Sequence, residues 1–195
     1  AILPKMLRSA ALAGKLRGPI ADERVLAAIA SIPRERFVPA GERRRAYANA
    51  ALPIDCGQTI SQPLVVARML ELLALDGSER VLDIGTGSGY HAALLSLLGA
   101  EVWTIERHPE LSAQASEAIG ALGIENVSFI VGDGGEGFPA RAPYDAINVA
   151  AAAEDGIPAA IEAQLALGGR LVAPVGAEQQ RLVLVRRGDD GALGR

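Results

Sequence analysis

Apolar residues recur at helical spacing through the first 75 residues of the chain. In "DERVLAAIASI" they lie on one face of a predicted helix, with Asp22 placed to begin it and Pro33 to end it. The stretch "RERFVPAGERRRAYANAALPI" predicts a loop and a short helix. "LVVARMLELLAL", which starts at Leu64, predicts another amphipathic helix that stops at "DGS".

The pattern changes after Ser78, where short apolar runs alternate with helical stretches. The runs "RVLDIG", "EVWTIE", "VSFIVGD", "YDAINVAA" and "RLVAPVG" are almost continuously apolar, which is typical of parallel strands covered on both faces. "YHAALLSLLG", "PELSAQASEAIGALG" and "GIPAAIEAQLALGG" predict helices between them. "QRLVLVRRG" follows too soon for a crossover helix, so we expect it to pair antiparallel near the sheet edge.

These elements predict an α/β fold: a doubly wound, Rossmann-like sheet with an N-terminal helical extension. A chain of 195 residues, half of them apolar, can bury one sizeable core. We therefore expect a single domain over residues 1–195. Residues 1–77 form its helical region, which includes a polar loop at 55–63, and residues 78–195 form its core.

Composition excludes several other classes of protein. Two histidines and one cysteine exclude a disulfide framework and a Cys/His zinc cluster, so we expect no metal site. We also expect a cytoplasmic protein that does not contact a membrane. The apolar runs fall short of the roughly 20 residues of a membrane span, and "AILPKMLRSA" does not resemble a signal peptide.

Charge is distributed unevenly along the chain. Residues 1–45 contain ten Lys or Arg against four Asp or Glu, a net charge of +6, whereas the remaining residues contain nine against nineteen, or −10. A basic segment can bind nucleic acid. Aromatic residues for base stacking are scarce here, however, so we interpret the basic positions as solvated helix faces and expect no nucleic-acid partner.

A glycine-rich loop, "LDIGTGSGY", follows the first predicted strand of the core. Gly85, Gly87 and Gly89 would let the backbone approach a ligand closely. A dinucleotide fingerprint would need glycine at the position of Tyr90, and Asp83 would repel a pyrophosphate. The acid suits a ligand with an ammonium group instead; the alternative is a tight turn without a ligand.

Two further carboxylates follow later strands. Glu106 lies 21 residues after Gly85, a spacing that suits the hydroxyls of a ribose, and Asp133 in "VGDG" could accept from the exocyclic amine of a purine. A charged strand end and an Asp-Gly turn are the respective structural alternatives. Together the three features favour S-adenosyl-L-methionine as the cofactor, with S-adenosyl-L-homocysteine as product, and hence a methyltransferase rather than a dehydrogenase.

The polar loop makes the prediction more specific. The chain resembles the protein-L-isoaspartate (D-aspartate) O-methyltransferases in "PRERFVPAGERRRAYANAALPI", "GQTISQPLVVARMLELL", "VLDIGTGSGYHAALLSLLGAEVWTIER", "NVSFIVGDG", "APYDAI" and "GGRLVAPVG". The resemblance implies methyl transfer from S-adenosylmethionine to the free α-carboxylate of L-isoaspartyl residues in damaged proteins and peptides. The ester would reclose to a succinimide and so begin repair; whether D-aspartyl residues are accepted stays open. We expect a monomer.

The resemblance also implies roles for individual residues. Ser61 of "TIS" would be the active-site residue, with Thr59 and Ile60 lining the substrate site beside it. A substrate carboxylate is already ionised at pH 7, so no general base is required. The alternative for Ser61 is a helix cap, and the two roles are compatible. The expected cofactor-binding residues are Asp83, Gly85, Thr86, Gly87, Ser88, Gly89, Glu106, Asp133, Gly134 and Gln180.

Some positions depart from the family pattern. We expect Asp55 to face solvent and Cys56 to be an inert small residue, and Asn148 needs a hydrogen-bond partner if it is buried. Members of the family carry another strand after "LVLVRRGDDG", and we expect that strand to be missing here. Two functional alternatives stay open: a methyltransferase of the same lineage acting on a dedicated peptide or small-molecule carboxylate, and a non-catalytic cofactor-binding module.

Overall fold

Two helices open the chain in the computed structural model, which describes residues 3–177 and 179–195. Helix α1 spans Leu3–Leu16 and α2 spans Glu23–Ser31. The Asp22 carboxylate caps α2 by accepting the Arg24 N–H at 2.8 Å, as its position before the apolar run predicts. Two 3-10 turns, Arg34–Phe37 and Ala40–Glu42, lie where the sequence predicts a loop and a short helix.

The polar loop is a small hairpin rather than an open loop. Strand β1 (Leu52–Pro53) pairs antiparallel with β2 (Thr59–Ile60), and a 3-10 turn joins them. In that turn Cys56 and Gly57 both have positive φ, 56° and 67°. Helix α3 (Pro63–Leu73) begins three residues after the last residue of β2, so the hairpin lies next to the helix N-terminus.

A seven-stranded sheet forms the centre of the domain, in the order β5-β4-β3-β6-β7-β8-β9. Strands β3 to β7 pair in parallel, and β8 pairs antiparallel with β7, as predicted from the short connection. The bounds are Arg80–Ile84 (β3), Glu101–Glu106 (β4), Val127–Val131 (β5), Tyr144–Val149 (β6), Leu165–Val175 (β7), Arg181–Arg187 (β8) and Leu193–Gly194 (β9). The two-residue β9 adds to β8 at the end of the sequence. The doubly wound α/β prediction is confirmed.

Both faces of the sheet are covered, because alternate strand residues join two separate apolar clusters. Val81 and Val102 pack with the N-terminal helices and with α3 and α4 (Tyr90–Leu98) on one face. Leu82 and Trp103 face the opposite cluster, which also contains Ile161. Helix α5 (Pro109–Gly120) connects β4 to β5 and adds Ile119 to the first cluster.

The last predicted helix of the core is largely wrong. Helix α6 covers only Ala159–Glu162, and "LALGG" belongs to β7 instead. The Gln164 side chain explains this early end. Its amide donates to the carbonyls of Ala160 and Glu136 and accepts from the Phe138 N–H, so it holds the chain against a neighbouring turn. The described helices include none long and apolar enough to cross a membrane.

Candidate active site

A cleft lies at the carboxyl ends of β3 and β4, between the glycine loop and the hairpin. This is where ligands bind in open parallel sheets. Its lining comes from three parts of the chain: the hairpin and start of α3, the glycine loop with the first turn of α4, and the ends of β4 and β6. The lining residues are Gln58, Thr59, Ile60, Ser61, Val66, Gly85, Thr86, Gly87, Ser88, Tyr90, His91, Glu106, Ala150 and Ala151.

The glycine loop is fastened to the neighbouring strand β4 by its own backbone. The N–H groups of Gly85 and Thr86 both donate to the Ile105 carbonyl, at 2.9 and 3.1 Å. Gly85 and Gly87 have φ of 90° and 51°, a conformation that favours glycine. A Cβ on Gly85 would also meet the Ala151 backbone nitrogen at 3.4 Å. The loop therefore presents the backbone of Gly85 and Gly87 to the cleft.

Asp83 lies beneath this loop and does not line the cleft. Its side chain is fully buried; one carboxylate oxygen accepts from the Asn148 amide at 2.7 Å and the other from the Thr104 hydroxyl at 2.8 Å. Thr104 in turn is 2.6 Å from the Thr86 hydroxyl. The prediction that Asp83 contacts an ammonium group directly is thus corrected: its carboxylate holds the loop from below. Burial raises the pKa of Asp83 to about 6, against the hydrogen bonds from Asn148 and Thr104.

Asn148 has the partner that its burial requires. The side chain is fully buried, and its Nδ2 is committed to Asp83. Its Oδ1 has no hydrogen-bond partner within the described ranges.

Glu106 faces the cleft from the end of β4, as predicted. One carboxylate oxygen accepts the Gly87 N–H at 2.8 Å and the other accepts the His108 N–H at 3.0 Å. Each oxygen keeps a further lone pair. The side chain is therefore fixed by two backbone groups while it can still accept from a ligand.

Thr59, Ile60 and Ser61 all line the cleft opposite the glycine loop. Ser61 does not cap α3, because the N-cap residue is Gln62 and no side chain makes the usual cap hydrogen bond. Instead Asn49, from the segment before β1, accepts the Leu64 N–H at 3.1 Å. The capping alternative for Ser61 is therefore wrong, and its hydroxyl is not used by the helix.

Four other predicted cofactor residues lie outside the lining of the cleft. Gly89 is required by α5, since a Cβ there would meet the Ala115 Cβ at 2.8 Å. Asp133 is exposed and accepts the Gly135 N–H at 2.9 Å, which is the turn anticipated as its alternative.

Gly134 and Gln180 complete this group. A Cβ on Gly134 would meet the Ile84 Cγ2 at 2.5 Å, so this glycine lets the turn after β5 approach the end of β3. Gln180 is exposed in the turn between β7 and β8.

Several buried residues in or next to the cleft were not predicted from the sequence. Tyr90 and His91, the first residues of α4, line the cleft, and their exposed fractions are 2% and 6%. Burial, together with the charge of Arg34, lowers the pKa of His91 to about 4, although a backbone hydrogen bond at Val66 opposes this. Arg34 is fully buried behind the cleft. In the sequence, Arg34 could have been noticed as the basic residue that directly follows Pro33 in "PRERFVP".

The rim of the hairpin carries negative charge. Asp55 is exposed, as expected, and accepts from the Gln114 amide at 2.9 Å. Cys56 is exposed, and desolvation with the carboxylates of Glu110, Asp55 and Glu106 raises the pKa of its thiol, which disfavours the reactive thiolate. No group of three or more His, Cys, Asp or Glu in residues 3–177 and 179–195 could hold a metal ion.

Comparison with known proteins identifies the family to which this architecture belongs. A sequence model described as Protein-L-isoaspartate(D-aspartate) O-methyltransferase (PCMT) matches residues 9–194. The chain is 53% identical over 176 residues to the protein-L-isoaspartate O-methyltransferase of Koribacter versatilis, covering 90% of this chain and 79% of that protein. It is 53% identical over 173 residues to the protein of the same name from Myxococcus xanthus, covering 88% and 81% of the two chains.

Solved structures agree with this assignment. A protein-L-isoaspartate O-methyltransferase superposes with a TM-score of 0.81 at 33% identity, covering 91% of this chain and 59% of that one. A Plasmodium falciparum structure in complex with S-adenosyl-L-homocysteine has the same fold, with a TM-score of 0.78 at 24% identity, covering 96% and 93% of the two chains. The chain therefore belongs to the protein-L-isoaspartate (D-aspartate) O-methyltransferase family.

Proposed function

We propose that this protein methylates the free α-carboxylate of L-isoaspartyl residues in proteins and peptides, with S-adenosylmethionine as methyl donor. The observation that carries the proposal is that Ser61 and the glycine loop, which are 24 or more positions apart in the sequence, line one cleft with Glu106.

The residues of the cleft fit S-adenosylmethionine. Glu106 is the one acidic or basic side chain among the lining residues other than His91, and the lowered pKa of His91 keeps that imidazole neutral at pH 7. A cleft with one negative charge and no Lys or Arg suits a cationic sulfonium and disfavours a pyrophosphate. The backbone of Gly85 and Gly87 leaves room for a ligand that side chains would occupy.

Each part of the cleft has a distinct proposed task. The loop backbone from Gly85 to Ser88 would hold the methionine part of the cofactor, and the free lone pairs of Glu106 would accept from the ribose hydroxyls. When bound, S-adenosylmethionine supplies an electrophilic methyl group. Asp83 contributes indirectly. It accepts from Asn148 and from Thr104, and the Thr104 hydroxyl in turn contacts that of Thr86 in the loop.

Ser61 would bind the substrate. Its hydroxyl can donate to one carboxylate oxygen and so fix the other in line with the methyl group. The carboxylate is ionised at neutral pH, so Ser61 positions it and takes no proton from it. Thr59 and Ile60 lie in the same edge of the cleft and would contact the substrate backbone.

The test is methyl transfer to an isoaspartyl peptide and to the aspartyl peptide of the same sequence. We expect transfer to the isoaspartyl peptide alone. The variant Ser61→Ala should lower kcat/KM by about ten- to a hundredfold, the effect of losing a hydrogen bond to a charged group. Ser116→Ala, which changes an exposed serine of α5, is the matched control and should leave the rate unchanged.

Each contrary result has a definite meaning. Equal rates for wild type and Ser61→Ala would remove Ser61 from the mechanism. Binding of S-adenosylhomocysteine without transfer to either peptide would contradict the proposed substrate, and it would point to a dedicated substrate or to a non-catalytic module.

A further inference from the structure

Arg34 is an unusual residue in this fold because it is a fully buried cation without a carboxylate partner. Its side chain is 0% exposed, yet it takes part in none of the ion pairs within residues 3–177 and 179–195. Buried arginines are normally paired, since an isolated charge is costly to remove from water. Burial accordingly lowers the pKa of the guanidinium. Such a group calls for an explanation beyond core packing.

The contacts of Arg34 supply that explanation. Nη2 donates to the Ser61 carbonyl at 2.7 Å, and Nε donates to the Ala46 carbonyl at 2.9 Å. The guanidinium lies over the Tyr90 ring, with Cζ 4.7 Å from the ring centroid. Arg34 thus joins Ser61, two residues before the start of α3, to Tyr90, the residue that follows the glycine loop. The remaining nitrogen, Nη1, is buried and has no partner within the described ranges.

We infer that Arg34 is a positioning residue that holds Ser61 in place for methyl transfer. This inference rests on the proposed function, because in it Arg34 orients the Ser61 hydroxyl toward a substrate carboxylate. The planar fork of the guanidinium can reach two carbonyls at once, which a lysine ammonium at the end of a flexible chain cannot do in the same geometry. Its uncompensated positive charge also favours an anion on the Ser61 side of the cleft.

Tyr90 has a second contact that holds its ring besides the one with Arg34. Its ring also contacts Phe37 edge to face, with centroids 5.5 Å apart, and the side chain is 2% exposed. Loss of the guanidinium should therefore displace Ser61 more than the glycine loop. This difference separates the inferred role from a general contribution to folding.

The chain offers a closely matched control in Arg80. This arginine also donates to two backbone carbonyls, those of Pro143 and Arg141 at 2.9 and 2.8 Å, and lies 5.0 Å from the ring centroid of Trp103. It stands at the start of β3, the opposite end of the strand from the glycine loop. Arg80→Lys therefore makes the same chemical change away from the cleft.

The experiment is a double-mutant cycle with Arg34→Lys, Ser61→Ala and the combined variant, alongside Arg80→Lys. We measure kcat and KM for an isoaspartyl peptide and the Kd of S-adenosylhomocysteine by calorimetry. Arg34→Lys should lower kcat/KM by about ten- to a hundredfold and change the Kd by less than about threefold. In the Ser61→Ala background the same change should cost less than about threefold, because the hydroxyl that Arg34 orients is already gone.

If the wild-type protein methylates no isoaspartyl peptide, the proposed function is refuted. The inference about Arg34 can still be tested by a measurement that needs no substrate. Amide hydrogen exchange over residues 58–66 should be faster in Arg34→Lys than in wild type and unchanged in Arg80→Lys. The inference is overturned by unchanged exchange there, by equal losses of kcat/KM in both backgrounds, or by an equal loss in Arg80→Lys. If Arg34→Lys does not fold, Arg34→Gln takes its place in the experiment. Failure of both variants to bind S-adenosylhomocysteine would also overturn the inference.

Discussion

Replacing His91 by glutamine should raise the free energy of unfolding relative to that of wild type in mild acid. The imidazole is buried at the start of α4, and its Nε2 has no hydrogen-bond partner within the described ranges. Protonation would place a second positive charge near Arg34 and at the positive end of the helix dipole. Burial and Arg34 lower the pKa of His91 from 6.5 to about 4. Glutamine is neutral over this whole range.

The sign follows from the two pKa values. In the unfolded chain the imidazole takes up its proton near pH 6.5, whereas in the folded protein it does so near pH 4. Its contribution to the free energy of unfolding is therefore present above pH 6.5 and is lost as the pH falls toward 4. At about 1.36 kcal/mol per pKa unit, the wild-type protein should lose about 2 kcal/mol from this group between pH 7.5 and pH 5.

The assay is urea unfolding of wild type and His91→Gln at several pH values between 5 and 7.5, at constant ionic strength. The stability of the variant relative to wild type should rise by about 2 kcal/mol as the pH falls. Asp83→Asn is the opposite control. The raised pKa of Asp83 gives stability that is complete below pH 3.8 and is lost as the pH rises through about 6, so this variant should lose relative stability as the pH falls. A level His91→Gln difference across this range would refute the reasoning.

Three other substitutions test how the cleft is assembled. Gly134→Ala should destabilise the protein by about 1–3 kcal/mol in thermal unfolding, because its Cβ collides with the end of β3; Gly132→Ala has open space and should be nearly neutral. Asn49→Ala should cost about 1 kcal/mol of unfolding free energy by leaving the Leu64 N–H without its acceptor, and an unchanged stability would show that water replaces it. Glu106→Gln keeps the shape but loses one charged acceptor, so calorimetry should show S-adenosylhomocysteine binding weakened by about tenfold or more.

The sheet could be predicted from the sequence because its strands are buried on both faces. Runs such as "RVLDIG" and "EVWTIE" have few polar residues, and the helices between them keep a regular period. The antiparallel β8 followed from the length of one connection. These properties are local, and a window of ten to fifteen residues contains them.

The end of α6 could not be predicted in this way. The segment "AAIEAQLALGG" has good helix formers, but Gln164 makes its contacts with residues 26 and 28 positions earlier in the chain. Those contacts, with the two glycines of the segment, favour the strand. Tertiary contacts of this kind override local propensity.

The cofactor loop was predicted in its position but not in its internal chemistry. An acid beside three glycines was interpreted as a ligand contact because the sequence shows that they are adjacent. It does not show that the Asp83 side chain is buried beside the paired residues of β4 and β6 and does not line the cleft. Strand alternation alone was insufficient, since the partners of Asp83, Thr104 and Asn148, lie on two other strands.

Ser61 shows why the geometry of a site is harder to predict than its location. The hydroxyl was found through the motif that contains it, but its surroundings are set by residues far away in the sequence. Arg34, 27 positions earlier, donates to its carbonyl, and Asn49, 15 positions before Leu64, accepts the Leu64 N–H at the start of α3. Because Asn49 accepts that helix N–H, the Ser61 hydroxyl is not needed there and can bind the proposed substrate. The motif thus predicts which side chain lies at the proposed substrate site, while the surroundings of that side chain depend on Arg34 and Asn49.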